Sequence, residues 1–367
     1  MKIQVWAPGM NPSDGGIQAY SWEVYQALRE ILGKDNVRAI SIQGIPSTDS
    51  HVNEFSKYPP RLRNPIFALT CIVRAIREKP DYLLLTHVNL CPVARLVQKF
   101  RSIPYGVSMH GLELWQLHDI SKRQALLQAK QVFPVSKWTR SAVVEQFPQL
   151  VNRCTVLANT FDAEKFPLGP KPAELLRRYN LSPDAKIILT VARLSAQERY
   201  KGIDEIIQAL PKVLSQVENC HYLVVGKGDD LDRLRRDAEQ AGVEDRVIFC
   251  GFIPAEELSA HYQLCDVYAM PSRGEGFGIT YLEALASGKP ALAGKMDASR
   301  EALLEGNLGV LVNSDRPDEI ADGLISLLNK THPNQQLFDP QWLREEVIRA
   351  YGRAEFSRNL QKALNID

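Results

Sequence analysis

The chain has 367 residues, 44 Lys+Arg against 43 Asp+Glu, a formal net charge of +1, and 45% hydrophobic and 24% charged residues. That composition excludes a disordered, collagenous or coiled-coil protein, and the length exceeds the ~250–300 residues at which single cores stop growing, so two domains are expected. No apolar run reaches the ~18 residues of a spanning helix, and six scattered cysteines without a C-x-x-C pair exclude a disulfide framework or zinc site and point to a reducing cytoplasm.

Short apolar runs alternate with longer amphipathic segments, the pattern of βαβ units on a parallel sheet. Residues 1–8 carry an apolar stretch too short for a secretory signal and read as the first strand. In the first half, strands are expected at 2–6, 37–42, 82–85, 104–109, 132–135 and 153–157, and helices at 17–32, 66–78 and 137–147. Segment 44–64, rich in Pro, Ser, Asn and charge, reads as a long loop. Pro167, Pro170 and Pro172 then mark a linker. The pattern restarts with strands at 186–192, 221–225, 246–250, 267–270 and 290–293, and helices at 203–216, 231–241, 255–264 and 279–286. A long amphipathic helix, 342–364, closes the chain.

The fold class expected is α/β, two doubly wound sheets in tandem, over 1–165 and 166–349. Ligands belong at the carboxyl ends of the strands and between the domains. A cut after Lys165 uncovers a charge asymmetry: 20 basic and 13 acidic residues before it, 24 and 30 after it.

The most informative stretch is Pro271-Ser-Arg-Gly-Glu-Gly-Phe-Gly-Ile-Thr-Tyr-Leu-Glu283, between a strand and a helix. Alternating Gly274, Gly276 and Gly278 let a ligand approach the backbone, and the following helix start offers unpaired N–H groups and a positive dipole end. Glu275 in the loop and Glu283 within the helix are placed to accept hydrogen bonds from hydroxyls at two ends of one extended ligand. A plain turn with two solvated glutamates explains one glycine well and three poorly. A second strand end carries Arg193 and Lys201, a planar fork and a point charge suited to a diphosphate. Gly15-Gly16 lies between the first strand and helix but lacks the G-x-G-x-x-G fingerprint. His110 ends the 104–109 strand, placed to exchange a proton or hydrogen bond with a reacting oxygen; His87 is a weaker candidate of the same kind. Asp230-Leu-Asp232 fits a metal-binding D-x-D, yet it opens a helix, where acidic residues meet the dipole, so we read it as a cap. No metal-ligand spacing is legible.

Together these residues resemble the retaining, nucleotide-sugar-dependent glycosyltransferases of the GT-B fold, family 4 (group 1). The resemblance runs over nearly the whole length through the Gly15-Gly16 loop, His110-Gly, Asn159, Arg193 with Lys201, and Glu275-x7-Glu283. It implies two Rossmann-like domains facing across a cleft, the first for the acceptor and the second for the donor, with residues 350–367 crossing back onto the first. It implies that Arg193 and Lys201 hold the donor diphosphate, Glu283 the ribose hydroxyls, and Glu275 the donor sugar. Backbone N–H groups of Gly276, Phe277, Gly278, Ile279 and Thr280 would assist. His110 would contact the sugar near the reacting centre, with Gly15 and Gly16 beside the phosphates or acceptor. His110 and Glu275 are thus the catalytic candidates.

Such an enzyme needs no cofactor and no metal. It works in polysaccharide or glycolipid synthesis, with a nucleotide-sugar donor, a glycan or lipid-linked acceptor, and no nucleic acid. Three positions depart from the family's pattern: a long Arg193–Lys201 spacing, Ile203 where one subgroup carries His, and Thr160 for the usual glycine. A nucleotide-sugar epimerase of the same fold is the competing enzyme; Arg193/Lys201 with Glu275-x7-Glu283 argues against it. A non-catalytic nucleotide-sugar-binding module is the third reading. Finally, Arg61, Arg63, Arg74, Arg77 and Lys79 gather on one stretch, either a solvated helix face or a contact with an anionic membrane, which would place a cytoplasmic protein on the membrane's inner face.

Overall fold

The computed structural model describes residues 1–44, 51–115 and 117–366, without the side chains of Leu112 and Trp115. The chain forms two compact units, Met1–Phe161 with Arg353–Asp367, and Asp162–Gly352.

The first unit alternates strands and helices: β1 (Ile3–Ala7), α1 (Gly16–Leu32), β2 (Val37–Ser41), β3 (Val52–Glu54), α2 (Pro60–Glu78), β4 (Tyr82–Leu85), α3 (Cys91–Arg101), β5 (Tyr105–Met109), α4 (Leu112–Trp115), α5 (Ile120–Gln128), β6 (Gln131–Pro134) and α6 (Lys137–Gln146). Its six strands pair in the order β3-β2-β1-β4-β5-β6, all parallel. Helices on both faces bury such a sheet, which is why β1, β4 and β5 are buried throughout and read as unbroken apolar runs.

Two expectations change here. Segment 44–64 is not one loop: β3 and the start of α2 fall within it, while residues 45–50 lie outside the described residues. Pro60 supplies a helix start that apolar spacing alone hides. Residues 153–157 do run along β6, with Thr155 N–H on Val132 O at 3.0 Å and Leu157 N–H on Pro134 O at 2.9 Å. Only Cys154 makes a bridge, to Val132, so no strand forms.

The second unit contains α7 (Ala173–Arg178), β7 (Lys186–Val191), α8 (Ile203–Leu214), β8 (Cys220–Val225), α9 (Leu231–Gln240), β9 (Val247–Gly251), α10 (Ala255–Leu264), β10 (Val267–Met270), α11 (Ile279–Ala286), β11 (Ala291–Gly294), α12 (Ser299–Ala302), β12 (Gly309–Val312), α13 (Pro317–Leu328) and α14 (Pro340–Tyr351). Its strands pair as β12-β11-β10-β7-β8-β9, the same doubly wound order read from the other edge. Both units are therefore Rossmann-like, as the fold class expected from the sequence requires.

The short turn 163–165 belongs to this second unit because the Arg344 guanidinium, reaching from α14, donates to Ala163 O at 2.9 Å and to Ala286 O at 2.6 Å. The closing helix splits at Gly352, whose extended ψ of 163° ends α14; α15 (Arg353–Leu364) follows. A Cβ at Gly352 would sit 2.5 Å from Ile348 O, so glycine is what permits the corner. Within the first unit α15 is anchored by Arg353, paired bidentately with Glu23 of α1 at 2.7 and 2.8 Å, and by Phe356, edge-on to Tyr20.

Candidate functional site

In a doubly wound sheet the strand order reverses beside the first strand, and the loops leaving the carboxyl ends there splay apart to leave a crevice. The reversal lies between β1 and β4 in the first unit and between β7 and β10 in the second. Each catalytic or donor-binding candidate read from the sequence follows one of those strands or the neighbouring β5, or lies in the helix entered from them, whereas Asn159 and the Asp230-Leu-Asp232 pair follow β6 and β8. The set therefore falls into two clusters, one in each unit.

In the second unit the segment 271–278 leaves β10 and enters α11. Of its three glycines, Gly278 takes left-handed backbone, φ +87°, and a Cβ there would lie 2.5 Å from the Tyr281 ring. Gly278 is also the N-cap residue and offers no side chain, so no side-chain cap occupies the first turn of α11, where Tyr281 N–H donates to Gly278 O at 3.2 Å and the N–H groups of Ile279 and Thr280 face the helix start. The Phe277 ring is buried edge-on against Tyr351, and Thr280 Oγ1 accepts from Tyr268 Oη at 2.7 Å. At both positions it is the backbone that remains for a ligand.

What fixes this segment is Asp297, wholly buried after β11. Its carboxylate accepts from Ser272 Oγ at 2.7 Å, Glu275 N–H at 2.7 Å, Ser299 N–H at 3.0 Å and Ser299 Oγ at 2.5 Å. A second clamp is Arg273, whose guanidinium holds Asp315 at 2.7 Å and also Glu205 of α8, while its N–H donates to Tyr200 O at 2.8 Å. Gly202 completes the join: its φ is +82° and a Cβ would come within 2.3 Å of Pro271 O. The loop after β7 and the loop after β10 thus act as one body.

This brings Lys201 to Glu275, Nζ to Oε2 at 3.9 Å, with both side chains under one-fifth exposed. Burial pushes the Glu275 carboxyl above its ordinary range, and Lys201 opposes the shift. Glu198 bridges the two candidate cations, with Oε1 3.0 Å from Arg193 Nη1 and Oε2 3.3 Å from Lys201 Nζ. Glu283 lies further along α11, where Tyr262 Oη donates to it at 2.7 Å; burial raises its carboxyl to about 7.

Asp230 does not cap α9 through its side chain. Its carboxylate instead clasps Arg233, Nε at 2.8 Å, and Arg199 at 3.2 Å, which holds it below the usual range. Asp232 is solvated. Among the described residues no three His, Cys, Asp or Glu side chains converge on one point.

In the first unit Gly15 takes φ +145° as the N-cap of α1, and Gly16 is that helix's first residue. His110 leaves β5. Its Nε2 faces Thr86 O at 2.8 Å, so Nε2 carries a hydrogen and donates, while its backbone N–H donates to Glu113 at 2.6 Å. Tyr20 lies edge-on to the imidazole at 5.1 Å and His87 stacks on it at 6.1 Å. Burial drives His87 down to about 4, so that ring is neutral at physiological pH. His87 and His110 are thus neighbours at the strand ends.

Sequence reasoning missed Asp297, Arg273 and Glu198. Asp297 and Ser299 form a D-x-S that reads as an ordinary turn. Glu198 stands between the two cations in the chain, and that position was its only signal.

The glycosyl transferases group 1 family profile matches residues 173–338. A GDP-mannose-dependent alpha-(1-6)-phosphatidylinositol monomannoside mannosyltransferase of Mycolicibacterium smegmatis is 34% identical over 251 residues, 65% of this chain and 64% of its own length. Anabaena HepE, solved in complex with UDP and glucose, superposes with a TM-score of 0.82 at 18% identity, covering 100% of this chain and 99% of that one. Sucrose-phosphate synthase from Thermosynechococcus elongatus does so with a TM-score of 0.79 at 18% identity, covering 100% and 98%.

Proposed function

We infer that this chain, whose residues 173–338 match the glycosyl transferases group 1 family, is a retaining, metal-independent glycosyltransferase acting on a nucleotide-diphosphate sugar and a glycan or lipid-linked acceptor. The observation that carries this reading is the single rigid body formed by the loops after β7 and β10, which sets Lys201 and Glu275 side by side before a helix start. A cation with unpaired N–H groups suits a diphosphate, and an adjacent carboxylate suits sugar hydroxyls. The transferred bond breaks at the anomeric carbon, and charge builds on the leaving phosphate. Lys201, Arg193 and the α11 dipole stabilise that charge where it develops. The leaving phosphate oxygen takes the proton of the incoming acceptor hydroxyl on the same face, so no side-chain nucleophile is required. His110, with Nε2–H committed to Thr86, has Nδ1 to offer the sugar.

For the donor, GDP-mannose is the first choice. The mycobacterial relatives named for it share 34% identity with this chain, whereas the fold neighbour solved with UDP and glucose shares 18%. A phosphoinositide-type glycolipid is the matching acceptor class. One face of the first unit would suit such a lipid. Leu62 and Leu69 on α2, and Leu96 and Phe100 on α3, are exposed, and exposed Arg61, Arg77, Lys79, Lys99 and Arg101 flank them. Arg63 and Arg74 are instead occupied, by Ser56 and Tyr58 carbonyls and by Glu78. Among the described residues no helix is long and apolar enough to cross a membrane, so attachment on the inner, cytoplasmic face would be peripheral.

The test is a thermal-shift panel of GDP-, UDP- and ADP-sugars. It is followed by transfer to a lipid acceptor in excess EDTA, with the anomeric configuration of the product determined. A new glycoside of retained configuration is expected. An epimerised donor without a glycoside, or activity abolished by EDTA, rejects the reading. Retention on anionic vesicles at low salt, lost in Phe100→Glu, checks the membrane face.

A further inference from the structure

Arg193 and Lys201 are the cations assigned above to the donor diphosphate, and in this structure both are paired with one carboxylate. Glu198 gives one oxygen to each, Oε1 to Arg193 at 3.0 Å and Oε2 to Lys201 at 3.3 Å. Two negative oxygens on one rigid group, each against a different cation, reproduce the way a diphosphate would bridge the same pair. We propose that Glu198 is an internal stand-in for the diphosphate: it fills the anion position between Arg193 and Lys201, must release both cations for donor to bind, and so sets donor affinity. The inference rests on the reading of Arg193 and Lys201 as diphosphate ligands.

The backbone of Glu198 is fixed and its side chain is the part able to move. Its N–H donates to Ser195 O at 2.8 Å, and its carbonyl accepts from Lys201 N–H at 3.2 Å. Neither bond involves the carboxylate. The Arg193 side chain is 65% exposed, so its pairing with Glu198 is screened and weak. Lys201 is 16% exposed and has Glu275 at 3.9 Å as a second partner, so it keeps a counter-charge when Glu198 leaves. A diphosphate brings more charge than a carboxylate and accepts the Arg fork bidentately, which is enough to displace a weak pair. A Glu198 carboxylate left beside the bound diphosphate would repel it, so displacement must carry the side chain outward. In the meantime it neutralises two clustered cations and competes with small anions such as orthophosphate for them.

The alternative role, in which Glu198 pre-aligns the two cations for the donor, predicts the opposite sign. The experiment is calorimetric titration of the full chain with GDP, UDP and inorganic pyrophosphate. Wild type, Glu198→Gln, Arg193→Ala and Lys201→Ala are compared, each checked for an unchanged melting temperature. Gln keeps the size and removes the charge. Nucleotide and pyrophosphate affinity should rise about 5- to 10-fold in Glu198→Gln, with a fall in donor KM in the same direction. Unchanged or weaker affinity in Glu198→Gln, alongside a loss in Lys201→Ala, overturns this inference alone. Unchanged affinity in both alanine variants, or no binding of any probe to any variant, overturns the diphosphate reading with it.

Discussion

At the carboxyl ends of its central strands the first unit presents mostly uncharged groups beside one carboxylate, Glu113: two glycines before α1 and the neutral ring of His87, with the imidazole of His110 pinned at Nε2 and the Tyr20 and Ser108 hydroxyls buried beneath, bonded to each other at 2.9 Å. The same edge of the second unit presents Arg193, Lys201, Glu198, Glu275 and Asp297 in one ionic and hydrogen-bonded cluster. One strand order thus carries two unlike chemistries. Position is set by topology, while chemistry is set by a few loop residues. Under the proposed function the first unit's edge would position sugar and acceptor hydroxyls, and the charged edge would hold a diphosphate whose charge grows as the bond breaks.

That contrast breaks most sharply at Glu275. Glu275→Ala should lower kcat by about 1000-fold with the melting temperature held; near-wild-type turnover of purified protein would remove the sugar-contact role. Next is Asp297, where loss of a buried carboxylate leaves backbone and hydroxyl donors unsatisfied. Asp297→Ala should cost about 3 kcal/mol of stability, read by urea unfolding, and should lower kcat as well. A variant as stable as wild type would show that the loop does not hang on this residue. On the first unit's side, His110→Ala should lower kcat by about 100-fold yet leave GDP and UDP affinity unchanged. Weakened nucleotide binding would show that the two edges do not divide the work as drawn.

The smallest effect sharpens the comparison through pH. Burial raises the Glu283 carboxyl from 4.5 to about 7, so the folded protein holds that proton more tightly than the unfolded chain. The stabilisation is full below the unfolded value and is lost as pH rises through the folded one. Glu283→Gln removes the titration while still accepting from Tyr262. Its melting temperature relative to wild type should therefore climb by a few degrees between about pH 5 and about pH 8. A flat difference in scanning calorimetry would show that the carboxylate is not destabilised in the fold.

The alternation of apolar runs placed most strands and the site helices, because a parallel sheet buried on both faces demands unbroken apolar runs that stand out from their neighbours. The short edge strand β3 and the corner at Gly352 were hidden. The first has three residues and is only partly buried; the second interrupts an amphipathic pattern that carries on past it. The loop glycines, Glu275, Glu283, Arg193 and Lys201 were legible because their chemistry is local, a cluster of types within a few residues of a strand end.

Glu275 and Lys201 are 74 positions apart in the chain, and no spacing rule joins them. Asp297 is a turn residue in sequence and becomes the anchor of the β10 loop only once β11 pairs beside β10. The sequence by itself determined two doubly wound sheets and the types of residue at their strand ends. Tertiary structure alone decided which of those residues meet, since parallel pairing brings together strand ends that the chain separates by a whole helix, and a carboxylate becomes a clamp or a counter-ion only when its partners arrive from another strand.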